Sequence, residues 1–286
     1  MRLANVAGRA TLLLSETEGV DVAEASDGAF GPDPAAVYRD WEAFRKWADT
    51  APRRRTVPVS RADLDSPSPE PRQILAIGLN YAEHAAESGF AAPETLPPTF
   101  TKFASALSGP DTTVALPDGG TTDWEVELVV VMGRTTHRVA EADAWSAVAG
   151  LTVGQDLSER ITQSAGPAPQ FGLGKSFTGF APVGPWLVTP DEFPDPDDLA
   201  LGCRIDGTIV QDGRTRDLIF PVPALIARLS RVLTLYPGDL VFTGTPSGVG
   251  IGRTPQRFLA PGERLVSWVE GIGELHQTFV AEQPEV

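Results

Sequence analysis

Short apolar runs separated by glycine and proline are the feature that most limits how this 286-residue chain can fold. The chain has 28 glycines and 26 prolines, which punctuate the apolar stretches from Ile74 onward. Short runs bounded by turn residues are typical of strands. The sequence therefore predicts an α+β, β-rich fold with mixed sheets. The predicted strands cover residues 74–78, 127–133, 151–154, 184–188, 201–205, 239–243 and 264–269.

Helical patterns interrupt these runs in only a few places. Helices are predicted at about 142–149 and at 223–233, where apolar residues recur at helical intervals. A third helix is predicted near residues 37–48, within a first segment that also contains short strand-like pieces. That segment ends in a stretch rich in proline and serine at 63–71, a composition typical of a boundary or linker. We expect a small N-terminal domain over 1–68 and a larger domain over 69–286.

The net charge of the chain excludes some classes of partner. A formal charge of −15 and a pI of about 4.6 would repel a nucleic-acid backbone, and the sequence has no basic stripe to overcome this. No apolar run approaches the roughly 18 residues needed to span a bilayer, and the first residues do not resemble a signal peptide. We expect a soluble, cytoplasmic protein that binds neither nucleic acid nor membrane.

Two glutamates lie two residues apart in a segment of strand-forming residues, DWEVELVVVMGR. On a strand, residues i and i+2 point to the same face, so Glu125 and Glu127 would emerge side by side. Two carboxylates that close repel each other unless a cation or a proton lies between them. Asp156 follows at the polar end of another strand-like stretch, and three carboxylates suit Mg²⁺ or Mn²⁺ better than Zn²⁺. A solvated strand face would show the same spacing and is the alternative.

A second cluster lies in GLNYAEHAAESG, where residues 81–88 are predicted to form one helical or 3₁₀ turn between two glycines. His84 and Glu87 are three residues apart, so they would share a face and could form a hydrogen bond. An imidazole oriented by a carboxylate can polarise a water molecule. A turn with glycine at both ends is typical of a mobile lid. A surface ion pair is the alternative.

Lysine is rare in this chain, which has only Lys46, Lys102 and Lys175 beside twenty arginines. These positions are therefore candidates for places where a guanidinium would not serve. Lys175 is flanked by small residues in GLGKSFTGF, which lack the first glycine of a phosphate loop. Residues 248–252 likewise lack the spacing of a dinucleotide-binding fingerprint. The Gly/Thr loop FTGTPSGVG could hold a carboxylate.

Five motifs in order resemble the fumarylacetoacetate hydrolase family over about residues 74–252: GLNYAEHAAESG, DWEVELVVVMGR, GLTVGQDLSERITQ, GKSF with APVGPWLVTPDE, and YPGDLVFTGTPSGVG. The resemblance implies a mixed β-sandwich roll with a small N-terminal domain, and usually a homodimer. It implies metal ligands at Glu125, Glu127 and Asp156, a lid dyad at His84 and Glu87, and an active-site lysine at Lys175. It also implies substrate contacts at Arg160, Gln163 and Thr245.

The chain departs from the family pattern at two places. Gln155 stands where the family often has asparagine, and Thr178-Gly179 stands where it often has Asp-Thr. Neither departure removes an implied metal ligand, although Gly179 lacks a hydroxyl that could contact substrate.

The family resemblance also implies a substrate class, the 2-oxo acids and 1,3-dicarbonyl acids. A divalent cation would polarise such a substrate, His84 and Glu87 would activate water, and Lys175 would stabilise an oxyanion. We therefore expect a metal-dependent hydrolase that cleaves a C–C bond in an acylpyruvate-like acid. An oxaloacetate-type decarboxylase, a keto–enol isomerase and a non-catalytic protein that binds small acids are the alternatives.

Overall fold

The computed structural model of the protein describes residues 1–95 and 97–282, so residues 283–286 of the predicted second domain lie outside the described residues. Within that part the strands are β1 Arg2–Val6, β2 Arg9–Leu13, β3 Glu18–Asp21, β4 Thr56–Pro58, β5 Leu64–Asp65, β6 Ile74–Ile77, β7 Thr99–Thr101, β8 Leu107–Ser108, β9 Asp111–Leu116, β10 Thr122–Asp123, β11 Val126–Met132, β12 Val148–Gln155, β13 Ser158–Glu159, β14 Ala181–Val188, β15 Ala200–Ile205, β16 Thr208–Arg214, β17 Leu240–Phe242, β18 Arg264–Val269 and β19 Gly273–Ala281. The α-helices are α1 Val22–Ala25, α2 Trp41–Ala48, α3 Ala82–Glu87, α4 Arg160–Gln163, α5 Phe171–Gly174 and α6 Val222–Val232. Short 3₁₀ helices cover Ala36–Asp40, Arg61–Asp63, Ala104–Ala106, Glu141–Ala147, Pro190–Glu192 and Thr215–Asp217.

Two large sheets form the body of the molecule. The first has the order β4-β3-β2-β1-β14-β12-β11-β17-β6-β7, with β5 and β8 attached at its side. The second has the order β16-β15-β18-β19-β9. Most neighbours are antiparallel, but β6 with β17, β8 with β14 and β9 with β19 are parallel. The prediction of a β-rich α+β fold with mixed sheets is confirmed.

The core lies where β11, β12 and β14 of the first sheet pack against β15, β18 and β19 of the second. Every residue of β11, β12 and β14 is buried. Strands covered on both faces carry continuous apolar runs, which explains the sequence VELVVVM in β11. Gly154 in β12 keeps this packing close, because a Cβ there would lie 2.4 Å from Val129 and 2.6 Å from the Phe242 ring. Because both faces of β11 are covered, the Glu127 carboxylate is buried as well.

The first 68 residues extend the first sheet. Leu3 of β1 pairs with Leu187 of β14, and β2, β3 and β4 follow outward from β1. Within the Pro- and Ser-rich stretch, Ser68 is buried, and its hydroxyl donates to the carbonyl of Gly238 over 2.7 Å. The expected domain boundary at residue 68 stays a prediction.

Two of the three predicted helices match closely. The helix at 223–233 is α6, and the one at 37–48 is a 3₁₀ turn followed by α2, whose N-terminus is capped by Asp40. The prediction at 142–149 was wrong in type and extent, because Glu141–Ala147 is a 3₁₀ helix and Val148 begins β12. Val148 pairs with Met132 of β11, so sheet pairing determines its conformation. No helix within the described part of the chain has the length and hydrophobicity required to cross a membrane.

Candidate active site

Three carboxylates meet at one end of the paired strands β11 and β12. Glu127 lies in β11 opposite Gly154, Glu125 immediately precedes β11, and Asp156 immediately follows β12. The amide of Asp156 donates to the carbonyl of Glu125 over 2.9 Å, which holds the two strand ends together. One oxygen from each carboxylate lies within 4.8 Å of the others, and all three residues are buried. The structure thus brings the predicted acids together, as their spacing on antiparallel strands requires.

Two cations contact the outer member of this cluster, Glu125. Lys175 Nζ donates to Glu125 Oε2 and to Asp156 Oδ2, each over 2.7 Å. An Arg160 Nη2 lies 2.8 Å from Glu125 Oε1. Burial alone would raise the pKa of Glu125, but Lys175 and Arg160 hold it well below its usual range. Burial also works against the charged form of Lys175, yet Asp156 and Glu125 keep the pKa of its ammonium above the ordinary value. Lys175 is therefore a permanent positive charge.

Glu127 is the carboxylate of the cluster whose negative charge is least compensated. Its Oε2 accepts a 2.6 Å hydrogen bond from the amide of Gly244, and no ion pair within the described residues includes it. Burial and the neighbouring Asp156 and Glu125 raise the pKa of Glu127. A buried carboxylate of this kind is stabilised by a cation. The donor set is all oxygen, so these residues fit a hard divalent ion such as Mg²⁺ or Mn²⁺.

Lys102 is a site residue that the sequence analysis did not assign. Its ammonium is fully buried and donates to Asp156 Oδ1 and to the carbonyl of Lys175. Burial lowers the pKa of Lys102 despite the nearby Asp156. Lys102 links a carboxylate to the backbone of the second lysine, so we regard it as a positioning residue. The rarity of lysine in the chain was the one signal for it.

His84 and Glu87 form the predicted pair, while their role in a lid stays a prediction. His84 and Glu87 lie on α3, and His84 Nδ1 is 2.8 Å from Glu87 Oε1. A carboxylate at Nδ1 favours the tautomer with a proton there, which leaves Nε2 as the basic nitrogen. Glu87 also accepts hydrogen bonds of 3.1 and 2.9 Å from the amide of Gly248. The dyad is thus tied to the loop after β17.

That loop binds carboxylates, although they are the protein's own. The amides of Gly244, Gly248 and Gly250 donate to Glu127, Glu87 and Asp123, respectively. The Gly/Thr loop was predicted to hold a carboxylate, and in the structure its amides fix the acids of the site. Gly244 and Gly248 have φ of 102° and 109°, a region that favours glycine.

The residues expected to contact substrate lie beside the acids. Arg160 and Gln163 belong to α4, and Arg160 Nη1 donates to Gln163 Oε1 over 2.9 Å. Arg160 is also held by Asp123, through bonds of 2.9 and 2.7 Å. Thr245 Oγ1 donates to the carbonyl of Val126 over 2.9 Å and accepts from Gln211 over 2.7 Å. All three residues are buried.

One cavity of about 560 Å³ joins most of these groups. Seven of the nine predicted site residues line it, and Glu127 and Asp156 connect to it through their cluster with Glu125. The lining members are His84, Glu87, Glu125, Arg160, Gln163, Lys175 and Thr245. The arrangement can hold a cation, a substrate anion and an activated water in a common space.

Three further polar residues support the site without having been predicted. Asp123 orients Arg160, and Gln211 accepts from the amide of Val126. Gln155 accepts from the amide of Glu125 over 2.9 Å and donates to Ser267 over 3.0 Å, so this departure from the family pattern supports the strand end that carries Glu125. Gly179, in the other departure, is half-buried at φ 79° and is not a lining residue of the cavity.

A buried triad of carboxylates near a His–Glu pair, within a β-rich α+β fold, is the arrangement expected of an enzyme that uses a divalent metal. The chain belongs to the fumarylacetoacetate hydrolase family, since residues 73–280 match the family model described as fumarylacetoacetate (FAA) hydrolase C-terminal. The resemblance inferred from the sequence motifs is confirmed.

Relatives with named activities are similar to most of the chain. A 2,4-didehydro-3-deoxy-L-rhamnonate hydrolase of Sphingomonas sp. (strain SKA58) is 47% identical over 207 residues, which is 72% of each protein. A mitochondrial oxaloacetate tautomerase of Bos taurus is 40% identical over 218 residues, 76% of this chain and 69% of that protein. The family therefore includes hydrolases and tautomerases at this level of similarity.

Solved structures match over the whole fold. A Mycobacterium smegmatis protein described as HpcE has a TM-score of 0.94 and 56% identity, with 99% of this chain and 100% of that chain covered. A maleylpyruvate hydrolase of Sphingobium sp. SYK-6 has a TM-score of 0.78 and 30% identity, with the same coverage. The second structure is a complex with manganese(II) and pyruvate. A divalent-metal site is therefore consistent with both the acid triad and this relative.

Proposed function

We propose that the protein is a metal-dependent hydrolase that cleaves a C–C bond in an acylpyruvate-like or 1,3-diketo acid. The observation that carries the proposal is the His84–Glu87 pair, since an imidazole held by a carboxylate could act as the water base in the cavity that Glu125 also lines. The Sphingomonas and Sphingobium relatives, both named as hydrolases, support it.

Glu125, Glu127 and Asp156 would hold the divalent ion. Bound there, Mg²⁺ or Mn²⁺ would supply Lewis-acid polarisation of the substrate's oxygen atoms. The oxygen-only donor set and the uncompensated charge of Glu127 support this assignment. The manganese and pyruvate of the Sphingobium complex support a site that takes a 2-oxo acid.

The cationic and amide side chains would orient the substrate. Arg160 and Gln163 are bonded to each other and line the cavity, so they can present a fixed pair of donors to a carboxylate. Thr245 can offer a third polar contact at the opposite loop. Lys175, charged and buried, would stabilise negative charge that develops on the carbonyl under attack.

Hydrolysis then needs two proton transfers, the formation of one C–O bond and the cleavage of one C–C bond. His84 Nε2 takes a proton from water as the hydroxide oxygen bonds to the distal carbonyl carbon, and Glu87 stabilises the imidazolium. The tetrahedral centre collapses, and the bond to the adjacent CH₂ carbon breaks. The electron pair of that bond leaves with the 2-oxo acid fragment as an enolate, whose CH₂ carbon takes the proton back from the His84 imidazolium to give pyruvate and the neutral imidazole. The other product is a carboxylic acid.

A second candidate is a keto–enol tautomerase of a 2-oxo acid, which the similarity to the Bos taurus oxaloacetate tautomerase supports. It would use the same metal site, but no water would be consumed. Decarboxylation of an oxaloacetate-like acid would also need no attacking water. Product analysis separates the three reactions, because only hydrolysis yields pyruvate together with a second acid.

The test is a panel of acylpyruvates and oxaloacetate assayed with Mg²⁺ and with Mn²⁺. We expect metal-dependent release of pyruvate from an acylpyruvate in a 1:1 ratio with the acyl acid. Enol–keto exchange or CO₂ release without acylpyruvate cleavage would replace the proposal by the corresponding alternative. No metal-dependent turnover of any 2-oxo acid would favour a non-catalytic binding protein. The homodimer implied by the family resemblance stays a prediction, to be measured by light scattering.

A further inference from the structure

The cavity is larger than the reacting part of a 2-oxo acid requires. Cavities of roughly 300–1,000 Å³ bury drug-sized ligands, and this one measures about 560 Å³. A pyruvate headgroup would occupy only the region beside Glu125, Arg160 and Lys175. The remaining volume must accommodate the acyl group, so the lining of that volume selects the substrate.

Most of the remaining lining is apolar. Its wall contains an edge-to-face aromatic pair, Phe100 and Phe171, with ring centroids 5.6 Å apart. Phe100 lies on β7, which pairs with β6, and the end of β6 supplies the adjacent wall. The apolar lining includes Ile77, Leu79, Pro98, Phe100, Phe171 and Ile251. Such a surface stabilises apolar groups and gives no hydrogen bonds to a charged one.

The cationic groups of the cavity are already assigned to the pyruvate part of the substrate, Arg160 to its carboxylate and Lys175 to the developing oxyanion, and the protein's own acids compensate both. Among the described residues, Arg160 is the one arginine and Lys175 the one lysine that line the cavity. Arg160 is bonded to Asp123, Glu125 and Gln163, while Lys175 is bonded to Glu125 and Asp156 and lies 5.1 Å from the centre of the Phe100 ring.

The lid histidine adds no free positive charge, because His84 is 2.8 Å from the Glu87 carboxylate. A second carboxylate on the substrate would therefore lose hydration without gaining a cationic partner, because the other polar lining residues, Ser88, Ser164 and Gln256, are uncharged. That loss is costly for a buried charge.

We propose that the substrate is a 2,4-dioxo acid with a single carboxylate, whose acyl group is uncharged and apolar, either alkyl or aryl. Phe171 is the specificity-determining residue, since it faces the cavity and forms the aromatic wall with Phe100. The inference rests on the proposed hydrolase function and narrows its substrate class. It predicts that acids with a second carboxylate are poor substrates.

Three probes test the selection: acetylpyruvate, benzoylpyruvate and maleylpyruvate, compared by kcat/KM with Mn²⁺. We expect benzoylpyruvate to exceed maleylpyruvate by at least about tenfold, since only maleylpyruvate must bury a second charge. Equal or higher kcat/KM for maleylpyruvate would overturn the inference while leaving the hydrolase function intact.

A binding measurement separates the inference from the proposed function. 2-Oxo-4-phenylbutanoate and 2-oxoglutarate have no distal carbonyl to be hydrolysed, so calorimetry with Mn²⁺-loaded protein reports the acyl pocket alone. We expect at least about tenfold tighter binding of the phenyl acid. This result without turnover of any probe would reject the hydrolase function and its 2,4-dioxo substrate, while the selection for an uncharged, apolar group in the pocket would stand. Equal binding, or tighter binding of 2-oxoglutarate, would reject the inference.

Two variants locate the selectivity. Phe171→Ala should reduce the benzoylpyruvate preference over acetylpyruvate by about tenfold. Ser164 is an exposed lining residue, so Ser164→Lys should fold and should raise the relative kcat/KM for maleylpyruvate by about tenfold. Ser15→Lys adds the same charge at an exposed serine outside the cavity and should change neither ratio. An unchanged ratio in both cavity variants would show that these walls do not contact the acyl group.

Discussion

Lys175 Nζ lies 2.7 Å from Asp156 Oδ2, so the ammonium assigned to the oxyanion is bound to a carboxylate assigned to the metal. The same ammonium is 2.7 Å from Glu125 Oε2. One buried positive charge therefore balances part of the acid cluster and faces the cavity. This shared contact explains why changes at either residue should affect both cation binding and catalysis.

Glu127→Gln should weaken Mn²⁺ binding by at least about tenfold, because it removes one of three ligand charges. The metal-free variant should melt no lower than the wild type, since Glu127 is a buried carboxylate without an ion pair among the described residues. Calorimetric Mn²⁺ titration and melting curves with and without metal measure both effects. Glu16→Gln, at an exposed glutamate, is the control. Wild-type Mn²⁺ affinity in Glu127→Gln, or full activity after chelation, would contradict the ligand assignment.

His84→Ala should lower kcat for acylpyruvate hydrolysis by roughly 10²–10⁴, because the water base is lost. The affinity for the non-reacting 2-oxo-4-phenylbutanoate should change little. Steady-state kinetics and calorimetry on the same preparation separate these effects. If the natural reaction survives the substitution and still needs metal, a tautomerase or decarboxylase would replace the hydrolase.

Lys175→Arg should lower kcat by at least about tenfold, a barrier increase of about 1.4 kcal/mol. A compact ammonium fits between two carboxylates beneath the Phe100 ring, whereas a guanidinium is larger and planar. Kinetics and a melting curve are measured together, with Lys46→Arg on the exposed face of α2 as the control. An unchanged kcat would refute the catalytic role of Lys175.

Lys102→Met should destabilise the protein by on the order of 3 kcal/mol, because it removes a donor from buried Asp156 and from the carbonyl of Lys175. Lys46→Met removes an exposed lysine and should stay within about 0.5 kcal/mol of the wild type. Urea unfolding of both variants in chelator gives the comparison. Equal stability of the two variants would show that Lys102 does not hold the site together.

Local spacing made the acids and the lid dyad predictable. Glu125 and Glu127 are two residues apart on a strand end, and His84 and Glu87 are three apart on α3, so short-range geometry determines which faces they share. The strands were predictable for the same reason, because burial on both faces leaves a continuous apolar run such as that of β11.

Contacts between distant segments were not predictable in this way. Lys102 reaches Asp156 across 54 positions, and Asp123 reaches the amide of Gly250 across 127. The acyl pocket likewise combines residues from β6, β7, α5 and the loop after β17, so its chemistry depends on the sheet order. Residues 142–149 were misread because pairing with β11 outweighs local helical pattern at Val148.

The Glu87 carboxylate has two partners. It accepts two hydrogen bonds from the Gly248 amide, which hold α3 against the loop after β17, and it also contacts His84, the proposed base. Any opening that carries α3 away from the loop breaks these bonds and withdraws the imidazole from the cavity in the same motion. Products and substrate would then exchange only while His84 is withdrawn from the cavity and cannot act as a base. The enol product would therefore leave from an open site in which no base is positioned to activate water for attack on it.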